Sequence, residues 1–184
     1  MKSINIIAVR SMAAFAGTCL FALITAGCGG GGEQMSTPTQ AMTVSKAGSV
    51  GITTVNAVLS GAQEVPPIIS AASGSATVTI DAARANINVT TTTQGFATPV
   101  TASHIHFGPT GTNGSVLFSL FAAPGVLPAT LAKNLTSVDF TPAAANGVIT
   151  FADAVNAILS GNTYINVHTQ ANLGGEIRGQ LTLQ

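Results

Sequence analysis

Hydrophobic and polar positions alternate along much of this chain beyond residue 52. In Gly74 to Ile80, Ser75, Thr77 and Thr79 face one way and Ala76, Val78 and Ile80 the other. In Ala85 to Thr91, Ile87 and Val89 oppose Asn86, Asn88 and Thr90. Period two is the signature of a half-buried strand. With Asp81-Ala82-Ala83-Arg84 between them as a turn, the two runs predict a hairpin. Val55 to Ser60 predicts an earlier strand, stopped before Pro66-Pro67, which cannot continue a ladder. Further strands are predicted over Thr101 to Phe107, Ser115 to Phe121, Leu135 to Phe140, Thr163 to Thr169 and Gly175 to Leu183. Gly108 to Gly114 and Ala122 to Ala132 read as loops. One helix is predicted near residues 150–160. Thr150 fits its N-cap with Asp153 three residues on, Ala154, Val155, Ala157, Ile158 and Leu159 form its apolar stripe, and Gly161 ends it. Many short strands and one small helix make an all-β fold, an antiparallel, Greek-key-like β-sandwich or barrel.

The first 28 residues break this pattern. Lys2 and Arg10 precede an uncharged run rich in Ala, Leu and Phe, which ends in Leu23-Ile24-Thr25-Ala26-Gly27-Cys28. A basic start, an apolar run and small residues before a cut site describe an export signal. A cysteine directly after them resembles a bacterial lipobox, which makes Cys28 the lipidated residue and the mature N-terminus. Residues 29–52 open with four glycines and continue with Ser, Thr, Gln and Pro, the composition of a flexible linker. Residues 53–184 are left as the folded domain. The expected location is the bacterial cell envelope, at its periplasmic or extracellular face, with the membrane as partner through the lipid.

Composition narrows the function. Six Lys and Arg balance six Asp and Glu, so no basic surface argues for nucleic acid. The only cysteines are Cys19 and Cys28, so the mature domain has neither disulfide nor thiol ligand. Charged residues are 7% of the chain, so the few clustered polar groups stand out. Gly108 to Gly114 lacks the lysine of a phosphate loop. No serine sits in a nucleophile-elbow pattern. The chain is therefore read as a non-catalytic binding or structural module with an envelope or extracellular protein partner.

All three histidines lie in predicted strands. Residues i and i+2 of a strand share a face, about 6.6 to 7 Å apart, so His104 and His106 project together, opposite Ile105 and Phe107. Asn166 and His168 likewise oppose Ile165 and Val167, and Glu176 and Arg178 oppose Ile177. If these strands are neighbours, one face collects His104, His106, His168, Glu176 and Arg178. Two readings follow. The imidazoles could ligate copper or zinc, with Glu64 or Glu176 orienting a ligand or completing the shell. Alternatively, the histidines, Glu64, Asn166, Glu176 and Arg178 form a hydrogen-bonded network that fixes strand register.

Four ordered motifs carry a family resemblance. Leu59-Ser60-Gly61-Ala62-Gln63-Glu64-Val65-Pro66-Pro67, His104-Ile105-His106-Phe107-Gly108, Tyr164-Ile165-Asn166-Val167-His168-Thr169 and Gly174-Gly175-Glu176-Ile177-Arg178-Gly179-Gln180-Leu181 resemble the CHRD domain, the repeat unit of chordin, across Val55 to Leu183. The resemblance implies a β-sandwich-like extracellular module. One departure is Gln170-Ala171-Asn172-Leu173, where the family often carries Pro. A second, shorter resemblance is carried by His104-Ile105-His106 before a glycine loop, which is similar to the copper-binding His-Val-His of copper-zinc superoxide dismutases. It implies a mononuclear metal site on a Greek-key barrel.

Overall fold

The computed structural model describes residues 51–123 and 126–183. The expected export signal, with Cys28, and residues 29–50 of the expected linker lie outside the described residues.

Nine strands and one α-helix, with two single-turn 3-10 helices, make up the domain among the described residues. In chain order the strands and the α-helix are β1 (Thr53–Ser60), β2 (Ser73–Ile80), β3 (Ile87–Gln94), β4 (Val100–Phe107), β5 (Val116–Ala122), β6 (Thr130–Leu135), α1 (Phe151–Leu159), β7 (Thr163–Thr169), β8 (Ile177–Gln180) and β9 (Thr182–Leu183). They form one antiparallel sheet in the order β5-β4-β7-β8-β1-β2-β3-β6, with β9 also paired to β1. The sheet curls into a nearly closed barrel. One line of contact across its gap is the Lys133 ammonium of β6, which donates to the Ser119 carbonyl of β5 at 2.7 Å.

Alternation explains the core. In β3, Ile87, Val89, Thr91 and Thr93 are buried and the residues between them exposed. Val55 and Leu59 of β1, Val78 and Ile80 of β2, Ile105 of β4, and Ile165 and Val167 of β7 fill the same interior. The helix lays Ala154, Val155 and Ile158 on this core. Its N-terminus carries the full capping box: Thr150 accepts from the Asp153 backbone N–H, and the Asp153 carboxylate accepts from that of Thr150.

The sequence reading fails between Ala122 and Phe140. Ala122 to Ala132 reads as loop and Leu135 to Phe140 as strand, yet β6 spans Thr130–Leu135. The inward parity of β6 is Leu131, Lys133 and Leu135, and a lysine at an inward position hides the alternation. Beyond it, Asp139 closes a turn by accepting from the Thr136 backbone at 2.9 Å. Phe140 makes only an isolated bridge to Phe118. The last predicted strand is also shorter: its pairing with β7 begins at Ile177.

Candidate metal centre

The register of β4 on β7 builds the site. His104 stands opposite Asn166, His106 opposite Tyr164, and Ala102 opposite His168. His168 therefore sits diagonal to His104 across a small residue, which leaves room for the rings to approach. Register shifts between β4 and β5 flank His104 and Ile105; such bulges re-aim side chains.

The three rings converge. Their centroids are 5.1 Å apart for His104–His168, 5.4 Å for His104–His106 and 5.9 Å for His106–His168. One ring nitrogen from each lies within 4.8 Å of the other two. Three imidazoles held on one ion at about 2.0 Å in tetrahedral directions place their nitrogens roughly 3.3 Å apart and their ring centres about 5 Å apart. The observed triangle is slightly wider than that, most of all toward His106.

Hydrogen bonds to carbonyls settle which nitrogens face inward. A carbonyl only accepts, so the ring nitrogen facing it carries the proton. His106 Nδ1 donates to the Gly114 carbonyl at 3.0 Å, and His168 Nδ1 donates to the Leu173 carbonyl at 3.0 Å. Both Nε2 atoms are thereby left as lone pairs. His168 Nε2 meets His104 Nδ1 at 3.2 Å and accepts its proton. His106 Nε2 is buried without any partner. An orphaned buried acceptor costs about 1 to 3 kcal/mol, so it calls for an explanation. A second hydrogen bond that fixes the tautomer is also the usual outer support of a metal-bound histidine.

Electrostatics keep the rings neutral. Burial and the neighbouring histidines push His104 down to about 4. Burial also lowers His106, against the Gly114 hydrogen bond, and lowers His168, against the Leu173 hydrogen bond. Neutral imidazoles are the form that binds metal.

A second layer holds His106. Tyr164 stacks on it with centroids 5.0 Å apart and planes 8° from parallel. The Arg178 guanidinium, on the strand flanking β7 on the side away from His106, lies over the Tyr164 ring, 3.5 Å from its centre. Arg178 also donates to Asn113 Oδ1 at 3.0 Å and to the Thr112 carbonyl at 2.8 Å, which ties down the loop that carries Gly114. The Gly114 N–H donates to the Tyr164 hydroxyl at 3.1 Å. Position 114 must be glycine, because a Cβ there would lie 1.8 Å from the Phe107 carbonyl oxygen.

The two carboxylates expected near the metal are engaged elsewhere. Glu176 precedes the β8 ladder and accepts from Ser70 at 2.8 Å and Thr169 at 2.5 Å. Thr169 lies on the opposite face of β7 from His168, so Glu176 does not join the histidine face. Burial pushes its pKa up, but the hydrogen bonds of Thr169, Ser70 and Asn172 together bring it below the ordinary value. Glu64 enters over the sheet from the loop after β1 and accepts from Asn166 Nδ2 at 3.3 Å. Glu64 Oε1 and Asn166 Oδ1 are buried without partners. Burial drives Glu64 up to about 7, against the opposing pull of Asn166 and Arg178.

The structure thus brings together His104, His106 and His168, with Asn166 and Arg178 beside them, as strand parity predicts, but it leaves out Glu176, which parity places on the same face. Parity passed over Tyr164, although Tyr164, Asn166 and His168 share one strand face at i, i+2 and i+4. It also passed over the Gly114 and Leu173 carbonyls, which no side-chain pattern reveals.

The CHRD domain family model matches residues 55–181. The chain belongs to the CHRD domain family. All four motifs and all three histidines fall inside the match. No curated protein and no solved structure matches the chain. Membership supports a binding or structural module, and the CHRD fold here is the nearly closed antiparallel barrel described above.

Proposed function

We propose that this CHRD-family chain is a non-catalytic metal-binding module of the bacterial cell envelope, holding one copper or zinc ion on His104 Nδ1, His106 Nε2 and His168 Nε2. The observation that carries the reading is the orphaned, buried His106 Nε2 grouped with a ring nitrogen of His104 and of His168. The Leu173 carbonyl fixes the His168 tautomer from outside, and His104 Nδ1 gives up the proton it shares with His168 when it binds. Imidazole suits both metals. Three protein ligands leave a fourth position for solvent or an exogenous donor. Glu176 is bound up with Ser70 and Thr169, and Glu64 is not among the residues whose ligand atoms cluster with the histidines, which favours a holder over a hydrolytic centre. The sequence before the domain supports export and lipidation at Cys28, with residues 29–52 as tether to the membrane.

The test uses the full-length protein purified without a histidine tag and challenged with copper and zinc. One equivalent of metal, lost in His106→Ala, is the expected result. No retained metal and an unchanged Tm would sink the reading. The anchor is tested separately: Cys28→Ser should release the protein from membranes, and unchanged retention would refute it.

A second reading rests on the 3.2 Å contact between His104 Nδ1 and His168 Nε2, which is itself a hydrogen bond. Under it, the CHRD module binds an envelope or extracellular protein partner, and the histidines only lock β4 to β7. It leaves His106 Nε2 without a partner.

A further inference from the structure

Arg178 is the largest fully buried side chain of the domain and carries a charge. A buried charge needs compensation, yet this guanidinium makes no carboxylate ion pair among the described residues. Glu64 lies near enough for the two charges to favour each other, but burial holds its pKa at about 7, so it offsets the charge only in part at neutral pH. The guanidinium donates to neutral oxygens, Asn113 Oδ1 and the Thr112 carbonyl, and its Cζ stands 3.5 Å from the centre of the Tyr164 ring. Tyr164 in turn lies flat on His106. Two stacked spacings, 3.5 Å and 5.0 Å, therefore join a fixed positive charge to the imidazole that turns its orphaned nitrogen toward the metal position. The three inward nitrogens belong to neutral rings, and no carboxylate joins them. An ion bound there keeps its whole charge, in a partly buried place, with a cation behind one ligand. Each of these features penalises a divalent ion more than a monovalent one.

We propose that the three-histidine site prefers cuprous copper to cupric copper and zinc, and that Arg178 is the positioning residue that sets the preference through the Tyr164–His106 stack. The inference rests on the metal-binding reading above. A unit charge about 10 Å away at an effective dielectric near 20 alters the Cu(I) to Cu(II) affinity ratio by roughly tenfold. For one electron, tenfold corresponds to about 59 mV in reduction potential.

The test measures Cu(I) affinity anaerobically and Cu(II) affinity aerobically, each against a chromophoric chelator, on the full-length protein. The copper potential is read by titration with redox mediators. Three chains are compared: unaltered, Arg178→Gln and Arg178→Lys. Removal of the charge should lower the affinity ratio about tenfold and lower the potential, whereas Arg178→Lys should keep most of both. Equal shifts in the Gln and Lys variants would overturn the charge argument and leave Arg178 a loop tether. Should the Gln variant fail to fold, the unaltered protein decides: Cu(I) should survive a tenfold excess of Zn(II), and its displacement would overturn the proposal. A protein that binds no metal at all defeats the earlier reading, whereas one that binds copper with an unmoved ratio defeats only this one.

Discussion

Replacing Glu64 with Gln should stabilise the metal-free domain, by an amount that depends on pH. Burial holds the folded pKa of Glu64 at about 7 against 4.5 for an ordinary glutamate. The folded state therefore keeps a proton that the unfolded chain has already released. The stability contributed by the neutral acid is fully present below pH 4.5 and is lost as pH rises to 7. Above that range the ionised, buried carboxylate costs about 3 kcal/mol relative to its low-pH form, at roughly 1.4 kcal/mol per unit of pKa. Glutamine has the same shape and no charge. Its amide can also donate to Asn166 Oδ1, which is otherwise buried without a partner. Glu64→Gln should therefore gain about 2 to 3 kcal/mol at pH 8 and close to nothing at pH 4.5. His104 acts in the opposite sense. Its pKa falls from 6.5 to about 4 on folding, so its contribution is present above pH 6.5 and is lost as pH drops toward 4. The two slopes oppose each other in the unaltered chain, and Glu64→Gln should expose the histidine slope alone. Urea denaturation followed by circular dichroism at pH 5 and pH 8, with a chelator present, reads both effects. A variant less stable than the parent at pH 8 would refute the reasoning, because it would mean that the Glu64 negative charge is needed in the fold.

Other consequences are open to direct measurement. Gly114→Ala forces the Gly114 carbonyl away from His106 Nδ1, since the new Cβ meets Phe107 at 1.8 Å; metal affinity measured by chelator competition should fall about 10- to 100-fold, and unchanged affinity would show that this carbonyl does not position the ring. Because burial lowers all three histidines, with His104 at about 4, protons should compete with metal only below the ordinary imidazole value of 6.5. Metal retention at pH 6.5 should nearly match that at pH 7.5, and a steep loss centred near 6.5 would contradict the neutral cluster. Thr150→Ala removes the side chain that caps α1 and should cost about 1 kcal/mol in denaturant unfolding, with no effect on metal content.

Much of this fold is legible because apolar side chains alternate with period two, and a β-strand cannot bury one face without that alternation. β3, with Ile87 and Val89 inward, is the clearest case. β6 escapes because Lys133 occupies an inward position and reaches across the barrel gap to the Ser119 carbonyl. That is a tertiary contact, and local pattern cannot anticipate it. The site divides along the same line. Strand parity shows that His104 and His106 project together and that His168 lies on a polar face. Only the pairing of β4 with β7 shows that the three meet. Glu176 misleads because parity presumes an unbroken strand, whereas the chain leaves the ladder before Ile177 and turns that carboxylate toward Thr169. The backbone carbonyls of Gly114 and Leu173 have no sequence signature, yet they fix two of the three tautomers.

The claim that three imidazoles share one ion is tested most directly by X-ray absorption at the metal edge of the full-length protein loaded with one equivalent of copper or zinc. Three imidazole nitrogens at about 2.0 Å, with the multiple scattering of their rings, are the predicted shell. His104→Ala, His106→Ala and His168→Ala should each remove one of them or release the ion. An oxygen-only shell, or a spectrum indifferent to all three substitutions, would contradict the account.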